Sequence, residues 1–190
     1  PTKNMTTAEG GAVVAKDGAL VERARRFRSH GLVRNKDEQR YPNEGPWHQE
    51  VHQIGLNYRL PDVLSAIGLS QIKRIHEFKA RRTAVFERYH AELADVQGLI
   101  LPTKRDYVDP MWHLYPIRVQ DGRRREVFEF MRDQGVLVQV NYIPAYWHPA
   151  FEDLGYKRGM CPVAEEYYSQ EISLPMYADL SDDQQSVVID

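Results

Sequence analysis

Cysteine is nearly absent from this sequence: among 190 residues there is only Cys161. No intrachain disulfide can form, which favours a reducing compartment and leads us to expect a cytoplasmic protein. Long apolar runs are absent too, so no segment reads as a membrane-spanning helix. Charge of one sign is missing: 25 Lys and Arg stand against 27 Asp and Glu, a formal net charge of −2. That balance gives no electrostatic footprint for nucleic acid or an anionic membrane surface. Neither internal repeats nor low-complexity tracts occur, and 42% hydrophobic residues is too high for a disordered chain. An initiator Met is lacking as well. The chain opens at Pro1 and stops at Asp190 inside an apolar-periodic stretch, so it reads as a piece of a longer chain.

What is present divides into three stretches. Glu9-Gly10-Gly11 leads into the apolar run 12–15, which suits a buried strand. Asp17 reads as an N-cap for a helix that carries Leu20, Ala24 and Phe27 on one face and is closed by Gly31 as C′. Residues 34–59 hold Pro42, Gly45, Pro46 and Gly55 with no periodicity, a long loop of the kind that is often functional. Pro61 fits position N1 of a helical block running to Gly98, with Gly68 allowing close packing. Spacing leaves open whether this block is one bent helix or two. Beyond it, residues 112–119 read as a strand, and Pro116 argues for an edge or a bulge. Asp121 opens a helix closed by Gly135, residues 136–142 read as a second strand and residues 172–174 as a third. Pro162 starts a short helix, and Ser181 with Gln184 makes a capping box for another. This order suggests a small sheet with helices on one side, an α+β layer.

Chemistry is sought first at Lys3. A lysine that forms a Schiff base must be deprotonated at some stage, and Lys3-Asn4 stands just ahead of the glycine turn at Gly10-Gly11, where backbone can approach a bound cofactor. A lysine near a chain start is more often simply solvated.

Residues 1–13 (Pro1-Thr2-Lys3-Asn4-Met5-Thr6-Thr7-Ala8-Glu9-Gly10-Gly11-Ala12-Val13) resemble the lysine signature of the DegT/DnrJ/EryC1/StrS aminotransferases. Those are fold-type I pyridoxal 5′-phosphate (PLP) enzymes acting on nucleotide sugars. The resemblance implies that Lys3 is both the catalytic residue and the PLP-bearing one. Gly55-Leu56-Asn57-Tyr58-Arg59-Leu60 resembles the family's second motif and implies that Asn57 reaches across a homodimer interface to the PLP phosphate of the other subunit. The segments His113 to Ile117, Val138 to Pro144 and Glu171 to Pro175 are similar to the subgroup that aminates UDP-4-keto-6-deoxy-N-acetylhexosamines in pseudaminic acid synthesis. The implied fold is α/β, the C-terminal half of a fold-type I transferase. Residues 1–75 would be the end of the large PLP-binding domain with an interfacial loop at 34–59, and residues 76–190 a connecting helix and a small α+β domain. The implied substrates are a UDP-linked keto sugar and L-glutamate. Gln139, Val140, Asn141 and Tyr142 are implied as substrate-binding residues, although members often carry His where this chain has Asn141. The lysine argues against a dehydratase relative, which would carry histidine there. The residues ahead of Lys3 that would stack on and ion-pair with PLP are missing, so these 190 residues alone would be a structural and dimerisation piece.

Other candidates remain open on spacing. Arg59 suits the carboxylate of an amino donor through its planar fork, or a structural salt bridge at the interface. His48 and His52 lie four apart, but Pro42, Gly45 and Pro46 argue against the helix that a zinc pair needs, and solvated loop histidines are the simpler reading. Arg23, Arg25, Arg26 and Arg28 read as an exposed helix face. Cys161, ahead of Pro162, reads as a packing or cap residue rather than a nucleophile. Tyr142, Tyr146 and Trp147 suit either a uracil and sugar or packing on their own domain.

Overall fold

The computed structural model describes residues 3–190 and divides into two compact units, 1–73 and 74–190. Pro1 and Thr2 of the lysine motif lie outside the described residues.

In the first unit, helix α1 (Gly18–Phe27) begins where the Asp17 side chain accepts the Ala19 N–H at 2.8 Å. The glycine expected as its C′ residue lies further on. Arg28 is the C-cap, and Gly31 is the second of two left-handed residues after His30. Strands β1 (Leu32–Val33) and β2 (Glu50–Val51) pair antiparallel, so the stretch expected as one long loop holds a strand as well as a 3-10 turn at Lys36–Glu38. Gly55 sits hard against the end of α1. A Cβ there would lie 2.5 Å from Gly31 N and 2.6 Å from the Phe27 carbonyl oxygen, so only glycine allows this approach. Residues 12–15 form no strand, contrary to expectation. Val14 is 91% exposed, and among the described residues no strand lies beside it to satisfy its backbone.

The helical block is two helices, α2 (Asp62–Lys73) and α3 (Ile75–Glu92), broken at Arg74, whose backbone leaves the helical region. Pro61 is not at N1. Its carbonyl accepts the Ser65 N–H at 2.9 Å, which makes it the N-cap residue.

The second unit is built on the antiparallel sheet β3-β4-β5, with β3 at Leu99–Ile100, β4 at Tyr115–Val119 and β5 at Glu171–Leu174. Strand β4 is central rather than an edge. Pro116 is tolerated because β3 reaches only Arg118 and Val119, leaving no strand on that side of the proline. Alternate residues Tyr115, Ile117 and Val119 are buried. They meet Val85, Phe86, Tyr89 and Leu93, which recur at helical spacing along α3. Helix α4 (Arg124–Asp133) has Arg123 rather than Asp121 at its N-cap. It ends in a Schellman turn at Gly135: Val136 N–H reaches the Met131 carbonyl at 2.9 Å and Gly135 N–H that of Arg132 at 3.0 Å. Helices α5 (Pro149–Glu152) and α6 (Pro162–Gln170) follow, and α7 (Asp182–Ile189) carries the expected Ser181–Gln184 capping box. Residues 136–142 are not a second strand. The Val138 N–H turns back to the Val136 carbonyl at 2.9 Å, and only Gln139 pairs with the sheet, opposite Ser173.

Candidate functional site

The sequence candidates fall on both units. Lys3, Asn57 and Arg59 belong to the first, and Gln139, Val140, Asn141 and Tyr142 to the second.

Lys3 is exposed, and among the described residues no hydrogen bond or ion pair engages its Nζ. The segment behind it is anchored to α2. Thr6 N–H donates to the Gln71 side chain at 3.4 Å, and Thr7 Cγ2 occupies the space a Cβ on Gly68 would need, 2.9 Å away. The close packing expected at Gly68 is thus realised, and it is the lysine segment that lies there. Asn57 is held by its backbone rather than its side chain. It bridges to Ser29, Leu56 N–H donates to the Phe27 carbonyl at 2.7 Å, and Tyr58 N–H to that of Arg28 at 2.8 Å. The Asn57 amide is thus exposed and makes no side-chain hydrogen bond among the described residues. An exposed amide on an anchored backbone can donate a hydrogen bond to a ligand oxygen.

Arg59 lines an open cavity of about 1150 Å³ with Gly11, Val13, Phe27, Arg28 and Leu64. Among the described residues neither Arg59 nor Arg28 has an ion-pair partner. Both guanidinium groups are therefore left open to a ligand carboxylate or to an ion pair across an interface. Arg28, expected on an exposed helix face, is exposed and also borders this cavity. Arg25 and Arg26 are engaged by Glu22 at 2.6 and 3.3 Å.

The long loop is organised around Glu50, another residue that spacing did not single out. Its carboxylate accepts the backbone N–H groups of Arg40 at 2.8 Å and Tyr41 at 2.6 Å, and it bonds the rings of His48 at 3.2 Å and His52. Burial would raise its pKa, but the hydrogen bonds from His52, Arg40, Tyr41 and His48 outweigh that and bring it down to about 2. The two histidines are thus bonded to a carboxylate and are not simply solvated, which corrects the sequence reading.

In the second unit Tyr142 is 71% exposed and edges an apolar groove with Pro144, Pro162, Val163 and Tyr167. Tyr146 and Trp147 are committed elsewhere. Both donate to Glu165, Trp147 at 3.4 Å, and Arg158 stacks over the Trp147 ring at 4.1 Å. The packing alternative holds for those two. Cys161 occupies the N-cap position of α6, makes no side-chain cap bond and is exposed, so it is not a packing residue. The backbone N–H of Asn141 donates to the buried carboxylate of Glu171 at 2.7 Å.

Residues 1–190 match the DegT/DnrJ/EryC1/StrS aminotransferase family throughout. The chain is 34% identical over 184 residues to the UDP-4-amino-4,6-dideoxy-N-acetyl-beta-L-altrosamine transaminase of Helicobacter pylori, covering 94% of this chain and 46% of that one. It is 33% identical to the spore coat polysaccharide biosynthesis protein SpsC of Bacillus subtilis, covering 100% of this chain and 50% of that one. The structure of Helicobacter pylori PseC, an aminotransferase involved in the biosynthesis of pseudoaminic acid, superposes with a TM-score of 0.86 at 31% identity, covering 98% of this chain and 48% of that one. The chain therefore spans about half the length of the relatives it matches.

Proposed function

Because this chain belongs to the DegT/DnrJ/EryC1/StrS aminotransferase family, with the fold-type I architecture, we propose that the protein carrying it is a PLP-dependent sugar-nucleotide aminotransferase. The family's aminotransferases use PLP, and the residues present suit it: an unengaged amine at Lys3 and an unengaged amide at Asn57 on an anchored backbone. Lys3 would hold the cofactor through Nζ, and Asn57 would donate its amide N–H to the phosphate held by a second subunit, making the protein a homodimer with shared sites. Bound PLP supplies the electron sink for the carbon–hydrogen bond broken on the amino donor.

The chain's own residues then do the rest. Lys3 Nζ, once free, takes the proton from Cα of the donor and later returns one to the sugar carbon that receives the amino group. The Arg59 guanidinium, facing open cavity without a carboxylate partner, binds the donor's carboxylate through its fork. We assign L-glutamate as donor and a UDP-linked 4-keto-6-deoxy-N-acetylated sugar as acceptor, the latter met by Gln139, Val140, Asn141 and Tyr142. The likeness to the altrosamine transaminase supports that acceptor. The likeness to SpsC favours a second reading, another keto sugar nucleotide of a surface polysaccharide, and turnover across a panel of keto sugars separates the two. No described helix is long and apolar enough to cross a membrane, and we place the protein in the cytoplasm.

The observation that carries the reading is the family match over the whole chain, with a lysine in place at position 3. Its test is Lys3→Ala in the full-length protein. Turnover should vanish while PLP still binds non-covalently, and near-normal transamination by that variant would sink the assignment.

A further inference from the structure

The segment assigned to the sugar nucleotide is tied to the sheet in an uncommon way. Gln139 and Ser173 make one antiparallel rung: Ser173 N–H donates to the Gln139 carbonyl at 2.8 Å and Gln139 N–H to the Ser173 carbonyl at 3.2 Å. That register places Asn141 opposite Glu171, so a regular ladder would send the Asn141 N–H to the backbone carbonyl of Glu171. Instead the N–H meets the Glu171 side chain, at 2.7 Å from Oε2. The other carboxylate oxygen, Oε1, accepts the Ser173 hydroxyl at 2.5 Å. A side chain has thus replaced a backbone acceptor, and the strand stops there. The next residue, Tyr142, is largely exposed beside the apolar groove.

The carboxylate that does this is 1% exposed and has no salt-bridge partner among the described residues. Burial pushes its pKa up, against the hydrogen bonds from Ser173 and Asn141 and the more distant charge of Arg124. A group so placed is costly to bury, and a backbone carbonyl would have served a purely structural rung at less cost.

We propose that Glu171 is a positioning residue for the sugar-nucleotide site, holding the backbone of Asn141 off the sheet so that Asn141 and Tyr142 face the acceptor in a preset geometry. This rests on the assignment of residues 139–142 to the acceptor made above. The amino donor is met by Lys3 and Arg59 of the other unit, so Glu171 bears on one half-reaction only.

The experiment uses the full-length, PLP-loaded enzyme with Glu171→Met, which keeps volume and removes both acceptors, and Glu171→Gln, which keeps one. Losing a buried hydrogen-bond acceptor should raise KM for the UDP-keto sugar on the order of tenfold in Glu171→Met. The rate of the half-reaction with L-glutamate should stay unchanged. Hydrogen exchange in the peptide spanning 136–144 should quicken. Glu171→Gln should restore slow exchange and bring KM back to within about twofold, since an amide oxygen can still accept the Asn141 N–H. If Glu171→Met does not fold, Glu171→Asp, which withdraws the carboxylate by one methylene, is read in the same way. Equal loss in both half-reactions, or an unchanged KM with faster exchange, overturns the proposal. Asn141→Ala and Tyr142→Ala separate the two claims. If neither alters KM for the sugar, the assignment of the segment fails. If either does while Glu171→Met is silent, only the role of Glu171 fails.

Discussion

Replacing Gly55 by alanine tests whether the anchoring of Asn57 works as described. Gly55 is not in a left-handed conformation, so alanine brings no backbone strain, and its lower unfolded-state entropy would by itself stabilise by about 0.4–1 kcal/mol. Sterics act against it. The added Cβ would stand 2.5 Å from Gly31 N, 2.6 Å from Phe27 O and 2.8 Å from His30 C, all backbone atoms. Ordinary contact is roughly 3.5 Å, so the segment around Gly55 must back away by about an ångström. Three backbone bonds cross that gap: Leu56 to Phe27 at 2.7 Å, His30 to Leu56 at 2.9 Å and Tyr58 to Arg28 at 2.8 Å. Overpacking costs about 1–3 kcal/mol, and stretching these bonds adds about 0.5–1.5 kcal/mol for each one lost. The net expectation is a destabilisation of about 3 kcal/mol, read by urea unfolding of the full-length protein. With Asn57 in its proposed role at the phosphate, the same displacement should raise the dissociation constant for PLP on the order of tenfold. Gly18→Ala is the control, because nothing lies within 4 Å of its would-be Cβ and it opens α1; it should be neutral or slightly stabilising. A Gly55→Ala protein within about 0.5 kcal/mol of its parent, with PLP retention unchanged, would refute the reasoning.

Two further predictions concern groups outside the cofactor site. Arg82 is 6% exposed, and its Nη1 donates at 3.2 Å to each of the Trp112, His113 and Met176 carbonyls. Arg82→Met should therefore cost about 3 kcal/mol in urea unfolding, as charge-assisted bonds to the 112–113 and 176 segments are lost, and a cost below about 1 kcal/mol would mean those carbonyls find other donors. Glu50 has its pKa depressed to about 2 from an ordinary 4.5. Its hold on the loop is therefore complete above pH 4.5 and is lost as pH falls towards 2. Carboxyl NMR should show its titration near 2, and Glu50→Gln at pH 8 should speed tryptic cleavage after Arg40. A midpoint near 4.5, or unchanged cleavage, would contradict the latch.

Local signals carried much of the fold. Asp17, Gly135 and the Ser181–Gln184 box each act within a few residues, so the ends of α1, α4 and α7 were readable. Features set by distant partners were not. Residues 12–15 have strand composition, yet no strand lies beside them among the described residues. Residues 136–142 alternate like a strand but surrender the next rung to a carboxylate thirty positions away. Pro116 looked like an edge residue because the brevity of β3 is not written near it. At the candidate site, the contiguous motifs around Lys3 and Asn57 could be singled out from the sequence, whereas Glu171 and Glu50 stand out only through contacts that folding creates. Spacing left Tyr146 and Trp147 open between a ligand and packing, and the choice came only when Glu165 accounted for their polar atoms.

The central claim is that Lys3 carries the cofactor. The most direct measurement is peptide mass spectrometry of the full-length protein after PLP loading and borohydride reduction. The account predicts a pyridoxyl adduct on Lys3, stoichiometric with protein and absent from Lys16, Lys36 and Lys73. An adduct on another lysine, or none on Lys3 in protein that holds PLP, would contradict it.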